Sequence, residues 1–420
     1  MTFNIKTSAC VILLFSSLII QETPAHAQTN KYHRSSLYSI LIRHPEKEFG
    51  NDIDTVFREM PIPEKFDDSS LKVRAINESA HANNKASEEE NIVNYTIKPF
   101  IEKNQIAKRL VAKWFNRKSG RNSDGTFDME LIKSRGLYDA DWFDHQVANE
   151  SIRGKALLAD AGEELIGQTY VLFNDIQYLD KEESAGVVSG VMSVASAIVS
   201  NIPGVGLVGT TISAGLDASR LITSKIQGFR VSITSYLYRL EWNDEIASTF
   251  YSSYYIDKPD SDKKNAFDQD KTLFRLEFIG MNTVKSANTT LRGVQSKNDM
   301  IRKVCERALD KNIAELQHKY EIFRVKTPVY SVEPLTAKIG IKEDIDKDSR
   351  FEVLEMVEDE NGTVSYRKVG EVMPVEGRIW DNRYMAEFED DIVDKSLTAT
   401  EFRIVSGNGF QPGMLIREIN

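Results

Sequence analysis

The chain has 420 residues, enough to bury more than one core, and its composition is that of an ordinary globular protein. Wholesale disorder, collagen-like repetition and a polytopic membrane protein are therefore excluded. The net charge is −10, and Lys326 to Asn420 carries −8 of it, from 12 positive and 20 negative side chains, which disfavours nucleic acid as a partner.

The first 27 residues read as an export signal. Lys6 supplies a basic start, and Cys10 to Ile20 (CVILLFSSLII) is an apolar core too short to cross a bilayer. Ala25-His26-Ala27 fits the small-x-small rule, which predicts cleavage between Ala27 and Gln28. The expected address is the periplasm or cell surface of a Gram-negative bacterium. Cys10 lies inside the apolar core and lacks the preceding leucine of a lipidated cysteine, so a lipoprotein is not expected. Export would leave Cys305 as the only cysteine, with no internal disulfide to brace the domains.

Residues 28–94 read as an N-terminal extension. Leu37 to Ile42 and Leu71 to Ile76 predict short strands, Met60 to Asp68 an extended segment, and Ala80 to Asn91, with its Glu run, a polar linker. Residues 95–325 read as an α+β domain. Ile106, Leu110, Val111 and Trp114 share one helical face, while Lys108, Arg109, Lys113 and Arg117 make a basic face expected to be solvated. A second helix is predicted over Asp141 to Leu165. Tyr170 to Tyr178 reads as a strand, and the alternation at Phe229, Val231, Ile233 and Leu237 predicts another. Phe274, Leu276 and Phe278 predict a third. The aromatic run Phe250 to Tyr255 reads as a packed strand or sheet edge, with a sugar-stacking platform as the sharper alternative.

Between the first two of those strands lies Ser184 to Leu216, which holds no charged residue. With the residues that follow, it predicts an apolar helical hairpin over 184–223, turning at Asn201-Ile202-Pro203-Gly204. Its Gly, Ser and Ala spacing suits close helix packing, either docked on the sheet or inside a membrane; docking is favoured, because lipid would leave many glycines exposed. Residues 296–325 predict the strongest helix, with Ile301, Cys305, Leu309, Ile313, Leu316, Tyr320 and Phe323 on one stripe. Cys305 on that stripe reads as a small buried hydrophobe. Residues 326–420 then break into short strands and turns, Asn361-Gly362 marking a hairpin, and predict a small C-terminal β-barrel. The fold class expected overall is α+β, a sheet-and-helix domain with an inserted hairpin followed by the barrel.

Motifs with chemistry are few. Gly204 to Gly209 spells G-x-G-x-x-G, but Pro203 interrupts the strand that should precede it and no acidic residue follows at the ribose-binding distance. Asp344, Asp346, Asp348 and Glu355 have the spacing of a calcium loop, yet Ser349 replaces the turn glycine and residues 351–355 read as a strand; an acidic β-turn is favoured over calcium. The histidines His33, His44, His81, His145 and His318 show no helical zinc spacing. No catalytic, cofactor or metal residues are therefore nominated, and enzymatic activity is not expected.

The tail carries a likeness: IKEDIDKDSRFEVLE (Ile341 to Glu355), RKVGEV (Arg367 to Val372), IWDNR (Ile379 to Arg383), LTATEF (Leu397 to Phe402) and PGMLIRE (Pro412 to Glu418). Together with ADAGEELIGQTYVLFNDI (Ala159 to Ile176), it resembles uncharacterised exported proteins of Gram-negative bacteria that end in an SH3- or OB-like barrel. The resemblance implies an envelope setting and transfers no catalytic residue. The expected function is non-enzymatic binding or assembly of a protein or glycan partner in the cell envelope. Two alternatives stay open: a membrane-interacting or pore-forming protein acting through 184–223, and an envelope hydrolase with an unrecognised site.

Overall fold

A computed structural model describes residues 35–115, 126–128, 132, 165–179, 226–291, 296–358, 364–386 and 394–419. Strand β1 (Ser36–Arg43) is the unbroken run SLYSILIR, buried on both faces, the pattern of a strand with neighbours on either side and cover above and below. It pairs in parallel with β2 (Asp67–Asp68) and β3 (Ala75–Asn77) on one flank and with β4 (Thr169–Tyr178) on the other. Strand β5 (Ile226–Leu240) runs antiparallel to β4, and β6 (Leu276–Leu291) antiparallel to β5, completing a six-stranded mixed sheet.

Helices cover both faces. Helix α1 (Gly50–Glu59) follows β1. A chain of short helices comes next: α2 (Glu88–Asn91), a π-helical stretch Ile92–Ile97, α3 (Lys98–Asn104) and α4 (Ile106–Trp114). Helices α5 (Asp244–Ser253) and α6 (Ser261–Gln269) lie between β5 and β6, and α7 (Lys297–Lys319) follows β6. Tyr38, Ile40 and Ile42 point into a core with Ile97, Leu110, Phe115 and Phe250, while Leu37 and Leu41 point into a second core with Ile53, Phe57, Ile301 and Leu309. The period-two alternation of β1 thus joins α3–α6 on one side to α1 and α7 on the other.

Several expectations hold and several change. The strand anticipated over Leu37 to Ile42 exists as β1 and lies inside the sheet, while that anticipated over Leu71 to Ile76 is cut to β3 at Ala75–Asn77. The supposed linker Ala80–Asn91 ends in a helix start, where Ser87 and Glu90 form a capping box and Glu88, Glu89 and Glu90 sit in the first turn, where the helix dipole favours negative charge. The aromatic run at 250–255 is not a strand. Asn243 caps the Ile246 amide at 3.0 Å, Asp244 and Glu245 follow, and Ile246 and Phe250 are buried one helical turn apart. Phe250 packs on Phe115, Phe127 and Phe267, so the run is anchored in the core through that ring. The basic face of α4 is not simply solvated either. Lys108 Nζ donates to the carbonyls of Phe267, Asp268 and Asp270 at the end of α6, and Lys113 Nζ to those of Asp68 and Ser70.

Helix α7 forms over most of the predicted stripe, but it ends at Lys319, leaving Tyr320 as its extended cap and Phe323 in a separate turn of 3-10 helix. Ser296 caps α7 through the Asp299 amide, and Ile301, Cys305, Leu309, Ile313 and Leu316 are buried against the sheet. Burial pushes the Cys305 thiol up to about 12, so it stays protonated and inert at neutral pH. Beyond it β7 (Thr327–Val332), β8 (Leu335–Ala337), β9 (Arg350–Glu358), β10 (Val364–Pro374), β11 (Thr400–Gly407) and β12 (Leu415–Ile419) close into a six-stranded antiparallel barrel in the order β10-β11-β8-β7-β12-β9. The barrel has its own core, with Phe351, Val353, Val372, Phe402 and Ile416. It rests on α7: the Arg307 guanidinium donates to the Tyr384 carbonyl at 2.8 Å, and His318 pairs with Glu418 at 2.9 Å.

The cleavage position Ala27/Gln28, the helix over 141–165, the hairpin 184–223 with its 204–209 glycines, and the Asn361-Gly362 turn lie outside the described residues. Among the described residues no helix is long and apolar enough to cross a membrane.

Candidate functional site

In an open α/β sheet, ligands gather beyond the carboxyl ends of parallel strands, where loops diverge and backbone groups are free. Here β2, β3 and β4 all pair in parallel with β1, and the carboxyl ends of β3, β1 and β4 adjoin. The register sets Arg43 of β1 opposite Asn77 of β3, and Ile42 opposite Asp175 of β4. The next residues of β1 and β3, His44 and Glu78, therefore emerge side by side, with Asp175 across the sheet from them. A parallel register alone brings together groups 131 positions apart in the chain.

His44 is 3% exposed. Its Nε2 faces Asp175 Oδ1 at 2.7 Å, and since a carboxylate only accepts, the ring proton sits on Nε2. Asp175 is held in turn by Gln177, whose amide donates to both carboxylate oxygens at 3.0 and 3.1 Å, and Gln177 accepts from Lys47 at 2.6 Å. The other nitrogen is different. Nδ1 lies 3.0 Å from Glu78 Oε2 and 3.8 Å from Glu46 Oε1, close enough for charge pairing, yet it makes no hydrogen bond. Burial acts to lower the His44 pKa, and the Asp175 hydrogen bond with the surrounding carboxylate charge outweighs it, so the pKa is raised.

The backbone here is tightly constrained. Phe49 adopts a left-handed conformation, and Gly50 begins α1 so close to the β1 exit that a Cβ on it would lie 1.9 Å from the His44 carbonyl oxygen. Arg43 braces the same corner through Asp54 at 3.1 Å and Asn77 at 2.9 Å. His44 Nδ1 and one oxygen each from Glu46 and Glu78 lie within 4.8 Å of one another, a span that a single cation can bridge. The carboxylates are accessible: the Glu46 side chain is 66% exposed and that of Glu78 37%.

The residues singled out in the sequence are placed otherwise. Asp344 is left-handed, Asp346 accepts from the amides of Asp348 and Ser349 in a local turn, and Glu355 sits on β9 paired with Arg367. They do not converge, and among the described residues the one group with metal-ligand geometry is His44, Glu46 and Glu78. His81 packs edge-on against Tyr95, and His318 belongs to the barrel contact. Sequence spacing gave no reason to choose His44, because its partners come from other strands. A histidine two residues before a glutamate at the end of an apolar strand was the available signal, and it is a weak one.

The chain matches no protein-family model and no curated relative.

Proposed function

We propose that this chain is an exported binding protein of the cell envelope, with its binding site at the carboxyl ends of β3, β1 and β4, shaped for a cationic ligand. The observation that carries the reading is His44: buried, oriented by Asp175, and turning a nitrogen without a hydrogen bond toward two accessible carboxylates. Glu46, Glu78 and Asp175 crowd negative charge at one point, and a positively charged group relieves that crowding. Native proteins satisfy nearly all buried polar atoms, and this open nitrogen stands apart because it faces two accessible carboxylates. Export rests on the N-terminal signal, and on the same reading the barrel is of the SH3- or OB-like type that ends envelope-assembly proteins.

The test is thermal unfolding of the full chain against a panel of cations: divalent metal salts, spermidine and a lysine-rich peptide. A ligand at one hundred times its Kd stabilises a folded protein by about 2.7 kcal/mol. One class of cation is expected to raise Tm in the wild type and to lose that effect in Glu46→Gln and Glu78→Gln. Equal shifts in all three proteins would remove the site from consideration. Fractionating cells that express the chain tests the compartment: recovery in the cytoplasm with residues 1–27 attached is the result that contradicts export.

A further inference from the structure

Resting on the reading of a cationic ligand, we infer that the ligand is a divalent transition-metal ion, bound by His44 Nδ1, Glu78 and Glu46, with Asp175 orienting the histidine from behind. A ring nitrogen among the donors sets the preference. Calcium and magnesium take oxygen ligands, whereas imidazole suits zinc and its neighbours in the first transition row. Metal-binding histidines almost always donate their other ring N–H to a carboxylate, a backbone carbonyl or water, which fixes the tautomer and orients the ring toward the ion. His44 has that arrangement already: Nε2 on Asp175 at 2.7 Å, and Nδ1 without a hydrogen bond.

The distances suit an ion. Ligand atoms each about 2.0–2.2 Å from zinc stand roughly 3–3.5 Å apart at tetrahedral angles. Nδ1 and Glu78 Oε2 are 3.0 Å apart, and Glu46 Oε1 at 3.8 Å needs only a small rotation of an exposed side chain. A lone pair and two carboxylates held this close repel one another unless something positive lies between them. A proton on Nδ1 would gain charge pairing but no hydrogen bond there, whereas an ion would engage the nitrogen and both carboxylates at once. Three protein ligands leave a fourth tetrahedral position open to water or to a donor atom of a partner.

The experiment is calorimetric titration of the chelator-treated full chain with Zn2+, repeated with Co2+ while recording its visible absorption. One equivalent of Zn2+ is expected to bind, and Co2+ to give the intense visible bands of a low-symmetry, four-coordinate site. Asp175→Asn is expected to weaken binding 10- to 100-fold, the usual loss for an outer-shell partner. His44→Ala should weaken it further and abolish the Co2+ bands, while His81→Ala leaves both unchanged. Should His44→Ala fail to fold, Glu46→Gln serves in its place, since that side chain is two-thirds exposed, and at least a tenfold loss is expected. Zn2+ binding that Glu46→Gln and Glu78→Gln leave intact would overturn the assignment. Binding of Ca2+ or spermidine in place of Zn2+ would also overturn it, yet preserve the cationic-ligand reading. If none of these cations binds, both readings fall.

Discussion

Two buried polar clusters sit in the sheet, one on each face, and they differ in completeness. On the α7 face, Asn174 donates to Ser39 at 2.9 Å, Ser235 donates to Asn174 at 2.7 Å, and Asn312 donates to Ser235 at 2.9 Å. Asn282 then donates to Asn312 at 2.9 Å and to Glu315 at 2.7 Å. This ladder ties β1, β4, β5, β6 and α7 together, each amide finding its partners within the protein. On the other face, at the strand ends, His44 is as deeply buried but keeps one nitrogen without a hydrogen bond. A closed network rigidifies and fixes register, and a network left open by one group is where a ligand is expected.

The largest loss of stability is expected at Asn312. Its amide reaches Ser235, the Ile233 carbonyl and the Asn282 carbonyl, and replacing it with leucine leaves several buried groups without partners. At about 1–3 kcal/mol for each unsatisfied group, Asn312→Leu should cost about 3–5 kcal/mol in chemical denaturation. Cation binding by the fraction that remains folded should match the wild type. A loss of binding without a loss of stability would reverse the roles assigned to the two clusters.

Gly50→Ala tests the other side. A Cβ there meets the His44 carbonyl at 1.9 Å, so α1 or the β1 exit must shift. A cost of about 2–3 kcal/mol is expected, in the range of overpacking a rigid backbone contact. Unlike Asn312→Leu, this change should also weaken cation binding, because it moves His44 itself. Equal affinities for wild type and Gly50→Ala would show that the corner tolerates displacement.

A third buried charge, at the contact between α7 and the barrel, gives a pH-dependent prediction. Burial pushes the Asp310 carboxyl up to about 7, partly offset by Lys342 at 3.8 Å and by Lys65, with Glu343 and Glu306 adding to the rise. The folded state therefore holds a proton that the unfolded chain releases near pH 4. The contribution of Asp310 to stability is fully present below about pH 4 and is lost as pH rises to about 7. His318 acts in the same direction. Its hydrogen bond to Glu418 raises its pKa against the opposing effect of burial, so its contribution is present below about pH 6.5 and lost as pH climbs past its folded value. Unfolding measured from pH 5.5 to pH 8.5 should show a decline of about 1–3 kcal/mol, the larger part of which Asp310→Asn removes. His318→Gln should remove only a minor part, under about 1 kcal/mol, because that pair is partly exposed. A flat profile in the wild type would contradict both assignments.

What the chain determined by itself follows from short-range periodicity. The α7 stripe, the β4 and β5 runs, the α4 face and the turn-rich tail that closes into a barrel were all legible, because burial on one face imposes a repeat of 3.6 or 2 on neighbouring residues. The aromatic run at 250–255 misled for the same reason: ring-rich composition suggests strand, while the Asn243 cap and the Ile246–Phe250 spacing decided for helix. Only the tertiary structure could decide the site. His44 and Glu78 follow the ends of β1 and β3 and Asp175 lies on β4, and no local pattern links them. Parallel pairing aligns the ends of strands that are distant in sequence, and it is that alignment, set by burial of β1 on both faces, that brings an imidazole and its carboxylates to one point.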